Sequence, residues 1–127
     1  MPDTSPTRFN VCIVCALPEE FDAFEKVVSA NCKVSFQSAN SSKGRPYKYT
    51  TIQNKAGASI TLHLSLPVEK GPEAMALHLE RVLDEFKPNF VAMTGICAGD
   101  RRKVKLGDLV VAERAFFYER GKVVLDE

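Results

Sequence analysis

FVAMTGICAGDRRKVKLGDLVV, residues 90–111, sets the reading of the whole chain. Phe90, Val91, Ala92 and Met93 form a short apolar run with the signature of a buried strand, and Pro88 just ahead of it stops any preceding helix. The run then breaks into Thr94, Gly95, Ile96, Cys97, Ala98 and Gly99. Two glycines in that break let a ligand approach main-chain N–H and C=O groups that bulky side chains would hold away. Asp100, Arg101, Arg102 and Lys103 follow as a charged loop, read as solvated. Gly107 and Asp108 launch a second apolar run, Leu109, Val110 and Val111, expected as a further strand. In an open α/β sheet, ligands bind beyond the carboxyl ends of the strands, which is where residues 94–99 fall.

Upstream, the hydrophobic period alternates between that of a strand and that of a helix. Residues 9–16 are an apolar run, read as a central strand covered on both faces. Pro18 suits the first turn of a helix, and Glu19 and Glu20 beside it complement the helix dipole. Phe21, Phe24 and Val28 recur at helical spacing and carry that helix to about residue 29. Residues 32–37 are a candidate strand, 38–46 a polar loop, 47–53 an alternating strand and 54–57 a turn. Residues 58–66 alternate, with Ile60, Leu62 and Leu64 on one face and Thr61, His63 and Ser65 on the other. His63 is therefore read as a polar-face residue, not a catalyst. Pro72 opens a second helix with an apolar stripe of Met75, Leu79, Val82, Leu83 and Phe86, and His78 at the edge of that stripe. Strand, helix, two or three strands, helix, strand, strand is an α/β order, with residues 66–90 a crossover between parallel strands. Residues 1–8 read as a disordered lead-in and 9–127 as one domain.

Composition narrows the function classes. The 127 residues suffice for one domain with a core, and 45% hydrophobic with 26% charged is the balance of a globular protein. A net charge of +1 supplies no bulk attraction for nucleic acid or an anionic membrane. No apolar stretch is long enough to span a bilayer, and residues 1–10 lack a signal-peptide core, so the cytoplasm is the expected location. Cys12 and Cys15 form a C-x-x-C, but inside an apolar strand, where residues three apart point to opposite faces. With only His63 and His78 as histidines, neither in ligand spacing, no metal site is expected and the cysteines are read as reduced.

Three stretches, VCIVCALPEEFDA, LPVEKGPEAMA and MTGICAGDRRKVKLGDLVVAE, carry a resemblance to the N-terminal half of the nucleoside phosphorylase and nucleosidase superfamily. The third is the most specific, because its Thr-Gly turn, its spacing and Gly107-Asp108 agree with the family pattern. The chain is similar to the methylthioadenosine/S-adenosylhomocysteine nucleosidase branch and to domains fused to signalling or defence proteins. The resemblance implies a three-layer α/β/α fold with a central mixed sheet, here apparently truncated. It implies no cofactor, a purine nucleoside or nucleotide as the small-molecule partner, and a homo-oligomer or a complementary chain. By position it makes Glu20 the carboxylate that activates water. Thr94, Gly95, Ile96, Cys97, Ala98 and Gly99 become the sugar- and base-lining turn, and Phe117 an aromatic sent toward a substrate site.

Glu20 fits that role physically, since a carboxylate in a helix first turn stays ionised and a base must be ionised to accept a proton. In the family, the acid that protonates the purine and the groups that hold the ribose come from the C-terminal half. Residues 1–127 alone are accordingly expected to be silent and to self-associate or pair with a complementary chain. Phosphorylases of the uridine branch carry a phosphate-clamping arginine just before the glycine turn. Met93 stands there, and no arginine lies in residues 66–71, which favours water over phosphate as nucleophile. The alternatives are a phosphate-dependent phosphorylase and a non-catalytic nucleoside-sensing or interaction module.

Overall fold

The computed structural model describes residues 6–114. The chain divides into two compact units, Met1–Ile96 and Cys97–Glu127. Every strand and helix among the described residues belongs to the first: β1 (Val11–Val14), α1 (Pro18–Cys32), β2 (Gln37–Asn40), β3 (Pro46–Gln53), β4 (Ser59–Ser65), α2 (Pro72–Phe86) and β5 (Phe90–Met93). They form one mixed sheet in the order β2-β3-β4-β1-β5. β1 runs parallel to β4 and β5, while β3 is antiparallel to β2 and β4. The β4–α2–β5 crossover expected from residues 66–90 is present, and it carries the chain over β1.

Each face of the sheet buries its own apolar cluster, which makes the unit three layers, α/β/α. On one face Phe9, Cys12 and Tyr47 pack with Val82 and Phe86 of α2. Phe9 meets Phe86 edge-on at 5.3 Å and Tyr47 at 5.9 Å, the offset geometry that the ring quadrupoles favour. On the other face Ile13, Cys15 and Leu64 pack against Phe21 and Phe24 of α1. β1 is thus covered on both sides, as its unbroken apolar run requires.

The two cysteines of the C-x-x-C lie in opposite clusters, and burial pushes the Cys12 thiol up to about 12. Cys32 and Cys97 are exposed. A thiol-reactive chromogenic disulfide should therefore titrate Cys32 and Cys97 quickly in the native chain and reach Cys12 and Cys15 only on unfolding. Fast reaction of all the thiols would contradict the burial of β1.

Several expectations need correction. Residues 38–40 belong to a strand, not a loop, and α1 continues through residue 32, where a strand was expected to begin. Ladder hydrogen bonds to β3 hold Gln37–Asn40 extended at the sheet edge despite its polar side chains. β5 is not buried: Phe90 is 72% and Met93 60% exposed, because β5 is an edge strand paired only with β1 among the described residues. Leu109, Val110 and Val111 form no strand among the described residues and are exposed.

The inward face of α2 is His78, Val82 and Phe86, with Leu83 of the expected stripe exposed. His63, read as a polar-face residue, is buried, because α2 and the β2–β3 hairpin cover that side of β4. No helix among the described residues is long and apolar enough to cross a membrane.

Candidate active site

The site starts from the unmet amides at the beginning of α1. Pro18 occupies the first helical turn and lacks an N–H, but the residues around it still present donors with no partner in the helix. Glu20 turns back to meet them, and its Oε1 accepts the Ala16 N–H at 3.2 Å and the Leu17 N–H at 3.1 Å. This is the reach-back half of a capping box. It fixes the carboxylate above the carboxyl end of β1.

β5 brings the second half of the arrangement. Its parallel pairing with β1 sets Val14 opposite Met93, and the Thr94 N–H continues the ladder to the Val14 carbonyl at 3.0 Å. The Thr94 hydroxyl lies 3.4 Å from the Cys15 sulfur. The chain then passes Gly95 and delivers the Ile96 N–H to Glu20 Oε2 at 2.9 Å. Glycine at position 95 leaves room for the carboxylate in this position: a Cβ there would sit 2.7 Å from Glu20 Oε2 and would push it aside.

The electrostatics follow from these bonds. The Ile96 N–H holds the Glu20 carboxyl below its ordinary value, the Leu17 and Ala16 amides add to the effect, and partial burial opposes it. A carboxyl lowered in the folded state contributes stability that is present above its unfolded value and is lost as pH falls through the folded one. At neutral pH Glu20 is therefore an anion. Its two oxygens offer about four lone-pair sites. Three N–H donors occupy three of them, which leaves one on Oε2 for a water or a substrate hydroxyl.

In the second unit, residues 100–104 form a tight turn. Asp100 accepts from the Arg102 backbone at 2.9 Å and from its guanidinium at 3.2 and 3.1 Å, and Arg102 holds the Asp100 carboxyl low. A Cβ on Gly99 would run into the Val104 side chain, so the packing of this loop already requires glycine there. Cys97 and Ala98 are exposed.

A model of the phosphorylase superfamily matches residues 10–124, from the start of β1 to beyond the Gly107-Asp108 turn. The chain belongs to the phosphorylase superfamily. It is 34% identical over 110 residues to the ATP nucleosidase Cap17 of Escherichia coli, an alignment covering 87% of this chain and 21% of that protein. It is 32% identical over 116 residues to the uncharacterized protein y4jS of Sinorhizobium fredii, covering 89% of this chain and 27% of the relative. The chain thus spans about a fifth to a quarter of the length of these relatives. No solved structure matches it.

Among the positions expected to line the site of a phosphorylase-superfamily protein, Glu20, Thr94, Gly95 and Ile96 come together in the first unit. Ile96 does so through its backbone, since its side chain is exposed. Cys97, Ala98 and Gly99 belong to the second unit, and Phe117 lies outside the described residues. The sequence reading missed the Ala16 and Leu17 amides. A proline at the first helical position with a glutamate two residues later was the available signal. It also missed the hydrogen-bonded set His63, Ser65 and His78, for which no pattern in the sequence speaks. Among the described residues no cluster of His, Cys, Asp or Glu could hold a metal ion.

Proposed function

We propose that this chain carries the water-activating side of a site that hydrolyses the N-glycosidic bond of a purine nucleoside or nucleotide. The observation that carries the reading is the Glu20 carboxylate, held by the Ile96, Leu17 and Ala16 amides with one acceptor position unused. The ATP nucleosidase among the relatives supports the same reaction class.

In that reaction the C1′–N bond breaks and its electron pair leaves with the base, which takes up a proton at nitrogen. Positive charge develops on the sugar ring. Water adds its oxygen to C1′ and gives up a proton, giving free base and a ribose that keeps whatever 5′ group the substrate carried. Glu20 accepts a hydrogen bond from that water and takes its proton as the new C–O bond forms. Its low pKa makes it a weak base, which suits a transition state in which the sugar cation, not the water, carries most of the charge. Thr94 and Gly95 set the spacing: the small turn lets C1′ approach the oxygen that Glu20 orients.

Met93 and residues 66–71 offer no arginine to hold phosphate as a nucleophile. Base release is therefore expected to proceed in phosphate-free buffer at the rate seen with phosphate. The active form of the protein should be dialysed free of phosphate and assayed with adenosine, methylthioadenosine and ATP by chromatography of the released base. Activity that returns only with added phosphate would make the reaction a phosphorolysis.

A further inference from the structure

We propose that the pocket between the β2–β3 hairpin and α2 binds a tetrahedral oxyanion of the phosphate type, away from the Glu20 carboxylate. The cavity is about 180 Å³, which leaves ample room for such an anion. Ala16, Leu17 and Ile96, whose amides hold Glu20, do not line it. The inference stands apart from the nucleosidase reading and needs no contribution from Glu20.

Charge is the first argument. Lys43 and Arg45 of the hairpin and Arg81 of α2 line the pocket. None of these cations makes an ion pair among the described residues, where the pairs are Lys48–Glu25 and Arg102–Asp100. Arg81 Nη1 is buried and has no hydrogen-bond partner among the described residues. A charged donor left unmet in the interior costs far more than an exposed one, and an anion is the partner that relieves it. Asp84 and Glu85 are the carboxylates on the lining, and Glu85 is already engaged: it accepts the Ser42 N–H at 2.9 Å and the Ser42 hydroxyl at 2.8 Å.

The floor is the second. Ser65 Oγ lies 2.8 Å from His63 Nε2 and 2.8 Å from His78 Nε2, and both Ser65 and His63 are only 1% exposed. Burial, and then His78, drive His63 down to about 3; burial, and then the Arg45 charge, lower His78. Both rings are therefore neutral at physiological pH, so the floor offers polar groups without cancelling or adding charge. Lys43, Arg45 and Arg81 outnumber the carboxylates Asp84 and Glu85 on the lining, and that positive excess is left for a ligand.

Preorganisation is the third. The Ser42–Glu85 bonds pin the hairpin tip to α2. Within the tip the Ser41 N–H bonds the Arg45 carbonyl at 2.8 Å and the Arg45 N–H bonds the Ser41 hydroxyl at 3.1 Å. Gly44 takes the positive φ of 78° that this tight turn needs. A wall already ordered before binding loses little entropy on binding. The forked donors of Arg45 and Arg81 suit a ligand with four oxygens and more than one negative charge better than a monovalent carboxylate.

The test is calorimetry of the 127-residue chain with inorganic phosphate in low-chloride buffer, with the histidine ring resonances followed by NMR. Saturable one-to-one binding is expected. Arg45→Gln and Arg81→Met should each weaken it by at least about 10-fold, the weight of one charge-assisted hydrogen bond. Arg102→Gln and Glu20→Gln should leave it unchanged. Bound phosphate should also raise the His78 pKa, since it offsets the charges of Arg45, Arg81 and Lys43 in a lining that also holds His63, Asp84 and Glu85.

Should Arg81→Met fail to fold, Arg45→Gln on the hairpin decides, with near-ultraviolet circular dichroism as the folding control. Competition separates the two sources of the anion: displacement by ATP assigns the pocket to a nucleotide's phosphate tail, and no displacement assigns it to the free ion. Displacement by adenosine, binding that ignores both arginines, or no saturation by about 10 mM phosphate, far weaker than a preformed charged pocket should bind, would each overturn the proposal.

Discussion

Glu20→Gln is expected to lower base release by at least ~100-fold, the usual weight of a positioned general base. The substitution is chosen because it removes the charge while keeping the helix cap. Glutamine keeps a carbonyl oxygen that can accept the Ala16 and Leu17 amides, so the start of α1 remains capped, although its NH2 cannot accept the Ile96 N–H. What it loses is the anion that orients water and takes its proton. The measurement is kcat for release of free base by the active form of the protein, with thermal unfolding as a control. The expected pattern is a fall in kcat with KM nearly unchanged, because the water interaction strengthens only as the sugar cation forms. Turnover unchanged in the variant would remove Glu20 from the mechanism.

Gly95→Ala is expected to lower base release as well, less steeply and by a different route. The new methyl group would meet Glu20 Oε2 at 2.7 Å, closer than carbon and oxygen tolerate. The atom in its way is the far end of a flexible side chain, so the carboxylate swings aside and the backbone stays. The cost in stability should be about 1 kcal/mol, the net worth of the hydrogen bond lost. The cost in activity should be at least ~10-fold, since the oxygen that holds the water no longer points where C1′ arrives.

A pH profile distinguishes this from general damage. The Ile96 N–H is the main reason the Glu20 carboxyl lies below its ordinary value, and the displaced carboxylate loses it. Its pKa should rise, and the acid limb of the rate profile should move to higher pH. Reduced activity with an unshifted acid limb would mean that Gly95 acts through something other than Glu20.

Much of the fold was legible because β1, β3, β4 and the two helices rest on local signals. Pro18 and Pro72 start the helices where the sequence placed them, and Leu62 and Leu64 alternate with His63 as a strand requires. The opposite burial of Cys12 and Cys15 followed from strand geometry alone. What failed was non-local. Gln37–Asn40 is a strand because β3 lies beside it, not because its side chains favour one. Exposure of β5 depends on its place at the sheet edge, which its apolar composition does not reveal. His63 shares its face with Ser65 as the alternation placed it, but alternation does not tell whether a helix covers that face, and here α2 does.

At the site, the resemblance pointed to Glu20 and the Thr94–Gly95 turn. It did not say that the contact to residue 96 runs through the backbone, because an N–H leaves no mark on residue identity.

The central claim is that Glu20 directs water, not phosphate, at C1′. The most direct measurement is base release in ¹⁸O-enriched water containing phosphate, with mass spectrometry of the sugar product. The account predicts free ribose, or its 5′-substituted form, carrying one ¹⁸O at C1′ from the first turnover. Ribose 1-phosphate without label at that carbon would contradict it.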